Sequence, residues 1–228
     1  MDDIISHLSV RASRRIPTDA EPTPVSKENR PIMQVAASLP RPPSSSNATD
    51  YACFTDDWSA IRRPEHPLVV QRRAVPLCDR PLLTRDPFTW RASGAPDRAA
   101  AALGDLPAAL VEDIAMLATR LAALMLCDEV RLRLELVDDD SCRKLHADFT
   151  DLRLITTYAG RGTQFACDNV PGGEVWNIDA GDIALVKGWQ FGEGHDPCLH
   201  RSPPIAGIGE RRLLLAIDTP RIDPEPGA

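Results

Sequence analysis

The sequence has no C-x-x-C pair, no long basic run, and no apolar stretch near the ~20 residues that a membrane helix needs. Each absence removes a class. Its six cysteines, Cys53, Cys78, Cys127, Cys142, Cys167 and Cys198, are too scattered for a structural zinc ribbon. The opening MDDIISHLSVRASRR lacks the apolar core of a secretory signal. Six thiols could form three bridges in an exported protein, but here they read as reduced and the chain as cytoplasmic, with no membrane partner. Asp2 and Asp3 argue against an Arg-rich targeting segment at residues 4–15. A net charge of −7 without a basic patch argues against nucleic-acid binding. There is also no G-x-S-x-G, no G-x-x-x-x-G-K-[ST] and no G-x-G-x-x-G after a strand. Serine hydrolase, P-loop and dinucleotide-binding readings therefore lack their carriers.

What is present is 228 residues, 43% of them apolar, enough for one core. Residues 1–50 hold seven of the 21 prolines, end in RPPSSSNATD, and balance six basic against six acidic residues. Such a segment buries too little apolar surface to offset its ordering entropy, so it reads as a disordered tail. A single domain is expected over 51–220. Residues 107–126 read as its one helix, with Leu110, Ile114, Leu117, Leu121 and Leu124 on one stripe and Pro107 at the first helical position. That stripe is core packing. From residue 130 the period changes to two: in VRLRLELV, Val130, Leu132, Leu134 and Leu136 alternate with charged residues. Residues 153–158, 174–179, 182–189 and 211–218 follow as strands, with 68–75 as an earlier one. Gly160, Gly162, Gly172, Gly173 and Gly181 punctuate them. One helix followed by antiparallel strands predicts a barrel or sandwich with the helix packed outside.

The chemistry concentrates in His146-Ala147-Asp148 and His200. On a strand, positions i and i+2 face the same way, so His146 and Asp148 would point together into a barrel. Two imidazoles and one carboxylate form a facial triad suited to non-haem Fe(II), leaving positions open for co-substrate and O₂. Arg211 and Arg212 follow His200 by 11 and 12 positions, and a guanidinium can hold a carboxylate in a bidentate fork. Strand alternation lets only one of the two face inward. Arg212 is favoured, because Leu214 and Ala216 on its face leave room for a small ligand.

The segments IRRPEHPLVVQRRAVP, DDDSCRKLHADFTDLRLITTYAGRGTQ, GDIALVKG and LHRSPPIAGIGERRLLLAID resemble the bacterial domain-of-unknown-function family eighteen twenty-six, over most of residues 58–220. More distantly, the order His146/Asp148, Arg153 to Tyr158, Gly172-Gly173, Gly181-Asp182, His200 and Arg211/Arg212 resembles prolyl-hydroxylase-like members of the 2-oxoglutarate/Fe(II) dioxygenase superfamily. That likeness implies a mainly β fold, a double-stranded β-helix of jelly-roll or cupin-like form with a flanking helix. It implies metal ligation by His146, Asp148 and His200, with Fe(II) and 2-oxoglutarate as cofactors. It also makes Tyr158 a second contact to the co-substrate. The barrel segment is short for that superfamily.

Other residues are weighed against this reading. Cys142, with His195, Cys198 and His200, suggests a softer zinc site, although a buried free Cys is more often a small hydrophobe. Asp138-Asp139-Asp140 reads as a solvated loop, since consecutive carboxylates on extended chain diverge. His195 reads as a loop residue, and Trp176 and Trp189 as core. Three functions follow in order: an Fe(II)/2-oxoglutarate-dependent oxygenase of unknown small-molecule or protein substrate, a non-catalytic zinc-homeostasis accessory on the same barrel, and a cupin-like module with an empty triad.

Overall fold

A computed structural model describes residues 51–74, 80–140, 142–166 and 174–220. The tail at 1–50, Cys78, Cys167, Gly172 and Gly173 lie outside the described residues. In chain order the elements are β1 (Ala52–Phe54), a 3-10 turn (Trp58–Arg62), β2 (Leu68–Gln71), α1 (Arg80–Leu83), β3 (Phe88–Gly94), α2 (Pro96–Ala102) and α3 (Ala108–Met125). There follow β4 (Val130–Val137), β5 (Leu152–Ala159), β6 (Gln164–Ala166), β7 (Val175–Asn177), β8 (Ile183–Lys187), β9 (His200–Arg201) and β10 (Arg212–Asp218).

The strands form two sheets, one of seven in the order β1-β2-β8-β5-β10-β4-β3 and one of three in the order β7-β6-β9. Every pairing is antiparallel except β1 with β2. This is a double-stranded β-helix. The alternation along β4 explains its layers. Val130, Leu132, Leu134 and Leu136 are fully or almost fully buried and pack with Leu110, Ile114, Leu117 and Leu121 of α3. Leu213, Leu215 and Ile217 of β10 join that core. The opposite face of the large sheet looks into the barrel. There a second core gathers Leu68, Val70, Ile155, Phe165, Trp176, Ala184 and Val186.

Three expectations need correction. The early strand expected at 68–75 is β2, ending at Gln71, and β1 and β3 also precede α3, so strands flank that helix on both sides. Strands β1, β3, β6 and β9 and the short helices α1 and α2 add to the expected elements. β1, β6 and β9 are only three, three and two residues long, too short for a period to show. β3 ends in Ser93-Gly94, which reads as a turn. Pro107 sits one residue before the first helical position, as the N-cap of α3. Trp176 is buried, whereas Trp189 lies past the end of β8 and is 62% exposed.

Candidate metal centre and its cavity

His146 and His200 are paired through the main chain, His146 N–H to His200 O at 3.0 Å and His200 N–H to His146 O at 2.9 Å. His200 opens β9, but His146 makes only an isolated bridge. The H-x-D run is therefore not the continuous strand that alternation predicted. Asp148 is placed by a different device. The stretch 148–151 is stitched to the end of β8: Trp189 N–H donates to Asp148 O at 2.9 Å, Gln190 N–H to Thr150 O at 2.8 Å and Gly188 N–H to Asp151 O at 2.7 Å.

These constraints bring together the three side chains that the sequence singled out. One ligand atom from each of His146, Asp148 and His200 lies within 4.8 Å of the others. His146 Nε2 is 3.8 Å from Asp148 Oδ1, and His200 Nε2 is 3.2 Å from Asp148 Oδ2. Donors near 2.1 Å from one octahedral ion sit roughly 3 Å apart, so the cluster needs little closure. The other ring nitrogens settle the tautomer. His146 Nδ1 meets Lys144 O at 2.9 Å, and His200 Nδ1 meets Cys198 O at 3.1 Å. A carbonyl can only accept, so each Nδ1 carries a proton, and each Nε2 is left to face the carboxylate, either as a second N–H or with a lone pair for a metal ion. Two Nε2 atoms facing one carboxylate require positive charge between them, either protons or a metal ion. The donor set fits a metal.

Asp148 is held as the carboxylate. Its burial would raise the pKa, but the His200 imidazole and the charges of Arg153 and His146 outweigh that and hold it well below the usual carboxylate range. Arg153 Nη1 approaches Asp148 Oδ2 at 2.6 Å, while its Nε and Nη2 bind Asp218 at 2.6 and 2.8 Å. Arg153 thus bridges the ligand carboxylate to β10. Sequence reasoning passed over it as part of a strand. The available signal was a charged residue inside each of two apolar strands, Arg153 and Asp218, which pair across β5 and β10.

A cavity of about 320 Å³ opens beside the triad, lined by Arg133, Glu135, Arg153, Thr163, Leu214 and Ala216 as well as both histidines. Arg212 stands behind Thr163. Its guanidinium is fully buried, with Nε donating to Arg161 O at 2.7 Å, Nη2 to Thr163 Oγ1 at 3.4 Å, and Nη1 without a partner. Burial pushes it down to about 10, so it is still charged at neutral pH. Arg211 points away, to the carbonyls of Leu83 and Arg85 at 3.2 and 2.7 Å and to Asp138 at 3.8 Å.

Tyr158 is a correction. It lies on the helix side of β5, and its hydroxyl donates to Asp113 of α3 at 2.7 Å. It shares the sheet face of Leu152 and Leu154, opposite to Arg153, so it cannot reach a co-substrate in the barrel. The softer zinc set is not assembled among the described residues. Cys142 lines the cavity, but the group within ligand distance is His146, Asp148 and His200. Cys198 is buried, its thiol pushed up to about 12 by that burial. His195 faces Lys187 instead, Nδ1 to Nζ at 2.9 Å. The three aspartates diverge, Asp140 accepting from the N–H groups of Ile205 and Ala206 at 2.8 Å.

The family described as "Protein of unknown function (DUF1826)" matches residues 62–218, and the chain belongs to that family. No curated protein matches the sequence. Among solved structures the chain is similar to a dioxygenase for auxin oxidation from rice (17% identity, 58% of this chain and 55% of that one, TM-score 0.42). It is also similar to dioxygenase for auxin oxidation 1 from Arabidopsis thaliana in complex with 2-oxoglutarate (15%, 60% and 64%, TM-score 0.41). A third is full-length T7H from Neurospora crassa in complex with alpha-KG (12%, 74% and 83%, TM-score 0.42). The chain thus spans less than two thirds of each of the two auxin dioxygenases. Among the described residues no helix is long and apolar enough to cross a membrane.

Proposed function

We propose that this chain is an Fe(II)/2-oxoglutarate-dependent oxygenase. One observation carries the reading. The two histidines of the His146, Asp148 and His200 cluster line the same cavity whose wall, at Thr163, is backed by a buried guanidinium with an unpartnered nitrogen. A buried cation with an open donor is costly unless an anion completes it. A carboxylate reaching Arg212 would supply that anion. Iron with 2-oxoglutarate and O₂ would supply the oxidising chemistry.

The residues of the chain would divide the remaining work. His146, Asp148 and His200 would hold the metal, each imidazole oriented by the carbonyl at its Nδ1. Arg153 would fix the Asp148 carboxylate while staying anchored on Asp218. Arg212 would bind the distal carboxylate of the co-substrate, and Leu214 and Ala216 would keep that end of the cavity dry.

The test is anaerobic titration of the iron-loaded protein with 2-oxoglutarate, followed by a metal-to-ligand charge-transfer band. Arg212→Met, which keeps most of the stem volume, should weaken binding by about 2–5 kcal/mol, or roughly thirty- to several-thousand-fold. Arg211→Ala should change it little. If iron-loaded protein shows no band, the oxygenase reading fails, and a metal-binding accessory protein becomes the better account.

A further inference from the structure

The barrel-facing side of the large sheet can be read as rows of directly opposed residues, which share a face. One row runs Arg91, Arg133, Ala216, Ile155 from β3 through β4 and β10 to β5. The next runs Ser93, Arg131, Asp218, Arg153. In the second row the charges are matched. Arg153 binds Asp218, and Arg131 donates to Thr219 O at 2.9 Å with Asp218 at 3.9 Å. In the first row they are not. Arg91 has no ion pair or hydrogen bond among the described residues. Arg133 has one anion, Glu135 on its own strand, at 3.4 Å.

Two arginines directly opposite one another destabilise a sheet unless something anionic sits between or above them. Charge on an edge strand such as β3 discourages edge-to-edge aggregation, which would account for Arg91 alone. It does not account for Arg133, which lies on the inner neighbour and lines the cavity. The apolar half of the barrel leaves this end open. Phe165 and Trp176 fill the interior against β2, β5 and β8, and that core contains no residue of β3 or β4. Ala216 and Ile155, next in the row, also line the cavity and form a low apolar floor leading from the arginine pair toward Arg153 and the triad.

We propose that Arg91 and Arg133 form a ledge that receives an oxyanion group, carboxylate or phosphate, of a small primary substrate. The inference rests on the oxygenase reading for the word substrate, while the anion site itself stands on the arginine pair. Guanidinium groups hold both kinds of oxyanion through paired N–H donors. The cavity, near the lower end of the ligand-pocket range of about 300–1,000 Å³, suits a small molecule. A substrate gripped at the ledge would lie along the Ala216–Ile155 floor with its uncharged part toward the metal.

The test uses the full chain without added metal, titrated separately with inorganic phosphate and with acetate. The readout is the arginine Nε–H resonances, assigned by substitution. Arg91 and Arg133 should shift together with one affinity. Arg91→Gln with Arg133→Gln should lower that affinity by roughly ten- to a hundredfold or more, Arg91→Lys should retain part of it, and high salt should weaken it. Melting temperatures at or above that of the wild type would show that the variants fold. Tighter binding of phosphate than acetate identifies a phosphorylated substrate, and the reverse a carboxylate. Binding should survive His200→Ala. If neither anion moves the two resonances, if the double variant binds as tightly as the wild type, or if His200→Ala abolishes binding, the ledge is overturned. Absence of the 2-oxoglutarate band alongside intact anion binding would instead sink the oxygenase reading and leave the ledge as an anion site.

Discussion

His146 and His200 each donate a main-chain hydrogen bond to the other's carbonyl, and their rings lie 4.9 Å apart between centroids. The two imidazoles are therefore set side by side by backbone pairing before any ion arrives. Truncating either side chain leaves those hydrogen bonds in place. His146→Ala, His200→Ala and Asp148→Ala should fold yet lose a site for about one divalent ion per chain. With Fe(II) or Zn(II) at a hundred times its Kd, the wild type should gain about 2.7 kcal/mol of stability. The three variants should gain little. Thermal melts with and without metal check this, and a rise in His200→Ala equal to that of the wild type would refute the triad.

Gly188 tests how Asp148 is held. A Cβ built there would fall 2.1 Å from Thr150 O and 2.7 Å from Asp148 O, both backbone atoms that cannot swing aside. Gly188→Ala must push the 148–151 stretch away from β8 and carry Asp148 with it. Metal affinity should drop at least tenfold, with folding retained in circular dichroism. Wild-type affinity in a folded Gly188→Ala protein would show that the ligand loop is not positioned from β8.

Part of this architecture was legible in sequence, and the reasons are physical. β4 shows a period of two over eight residues because one face packs on α3 and the other faces the barrel, so both its ends and its faces were readable. The three metal-binding candidates were recognisable by residue type, and the geometry that unites them was not. His146 and Asp148 were assigned to a strand, but Asp148 is placed by hydrogen bonds from residues 188–190, forty positions away in sequence. β9 has two residues, and its pairing with β6 uses main-chain groups that leave no side-chain pattern. Arg153 reads in sequence as a polar residue beginning a strand, because its partner Asp218 lies 65 positions away and meets it only across β5 and β10. Tyr158 was misplaced because its position in a remote family pattern was followed rather than its parity with Leu152 and Leu154.

The relocation of Tyr158 has its own consequence. Its hydroxyl donates to Asp113, which also pairs with Arg73 through Nη2 at 3.0 Å, joining α3 to the sheet. Tyr158→Phe removes one hydrogen bond to a largely buried carboxylate and should cost about 1–3 kcal/mol in urea denaturation. Iron and 2-oxoglutarate affinities should stay within about twofold of wild type, a tolerance well below the loss of about tenfold or more expected for a broken charge-assisted contact. The opposite pattern, unchanged stability with lost co-substrate binding, would return Tyr158 to the cavity.

Lys187 gives a pH-dependent prediction. Its side chain is buried at the end of β8, where Nζ donates to Arg63 O at 2.6 Å and faces His195 Nδ1 at 2.9 Å, with the Phe191 ring centroid 5.0 Å away. Burial pushes its pKa down to about 8 from the ordinary 10.5. The folded value thus lies below the unfolded one. Below pH 8 both states carry the charge, and the cost of burying it is present in full. Between about pH 8 and 10.5 the unfolded chain holds more protons than the folded one, so this group's contribution rises with pH. Lys187→Met removes the titration. The difference in unfolding free energy between wild type and Lys187→Met should therefore move in favour of the wild type from pH 7 to pH 10. The Cys198 thiol, pushed up to about 12 by burial, makes both proteins lose stability above the ordinary thiol range, and it cancels in the difference. Urea unfolding of both proteins at four pH values across this window is the measurement. Parallel curves would mean that Lys187 titrates in the folded protein as it does in the unfolded chain.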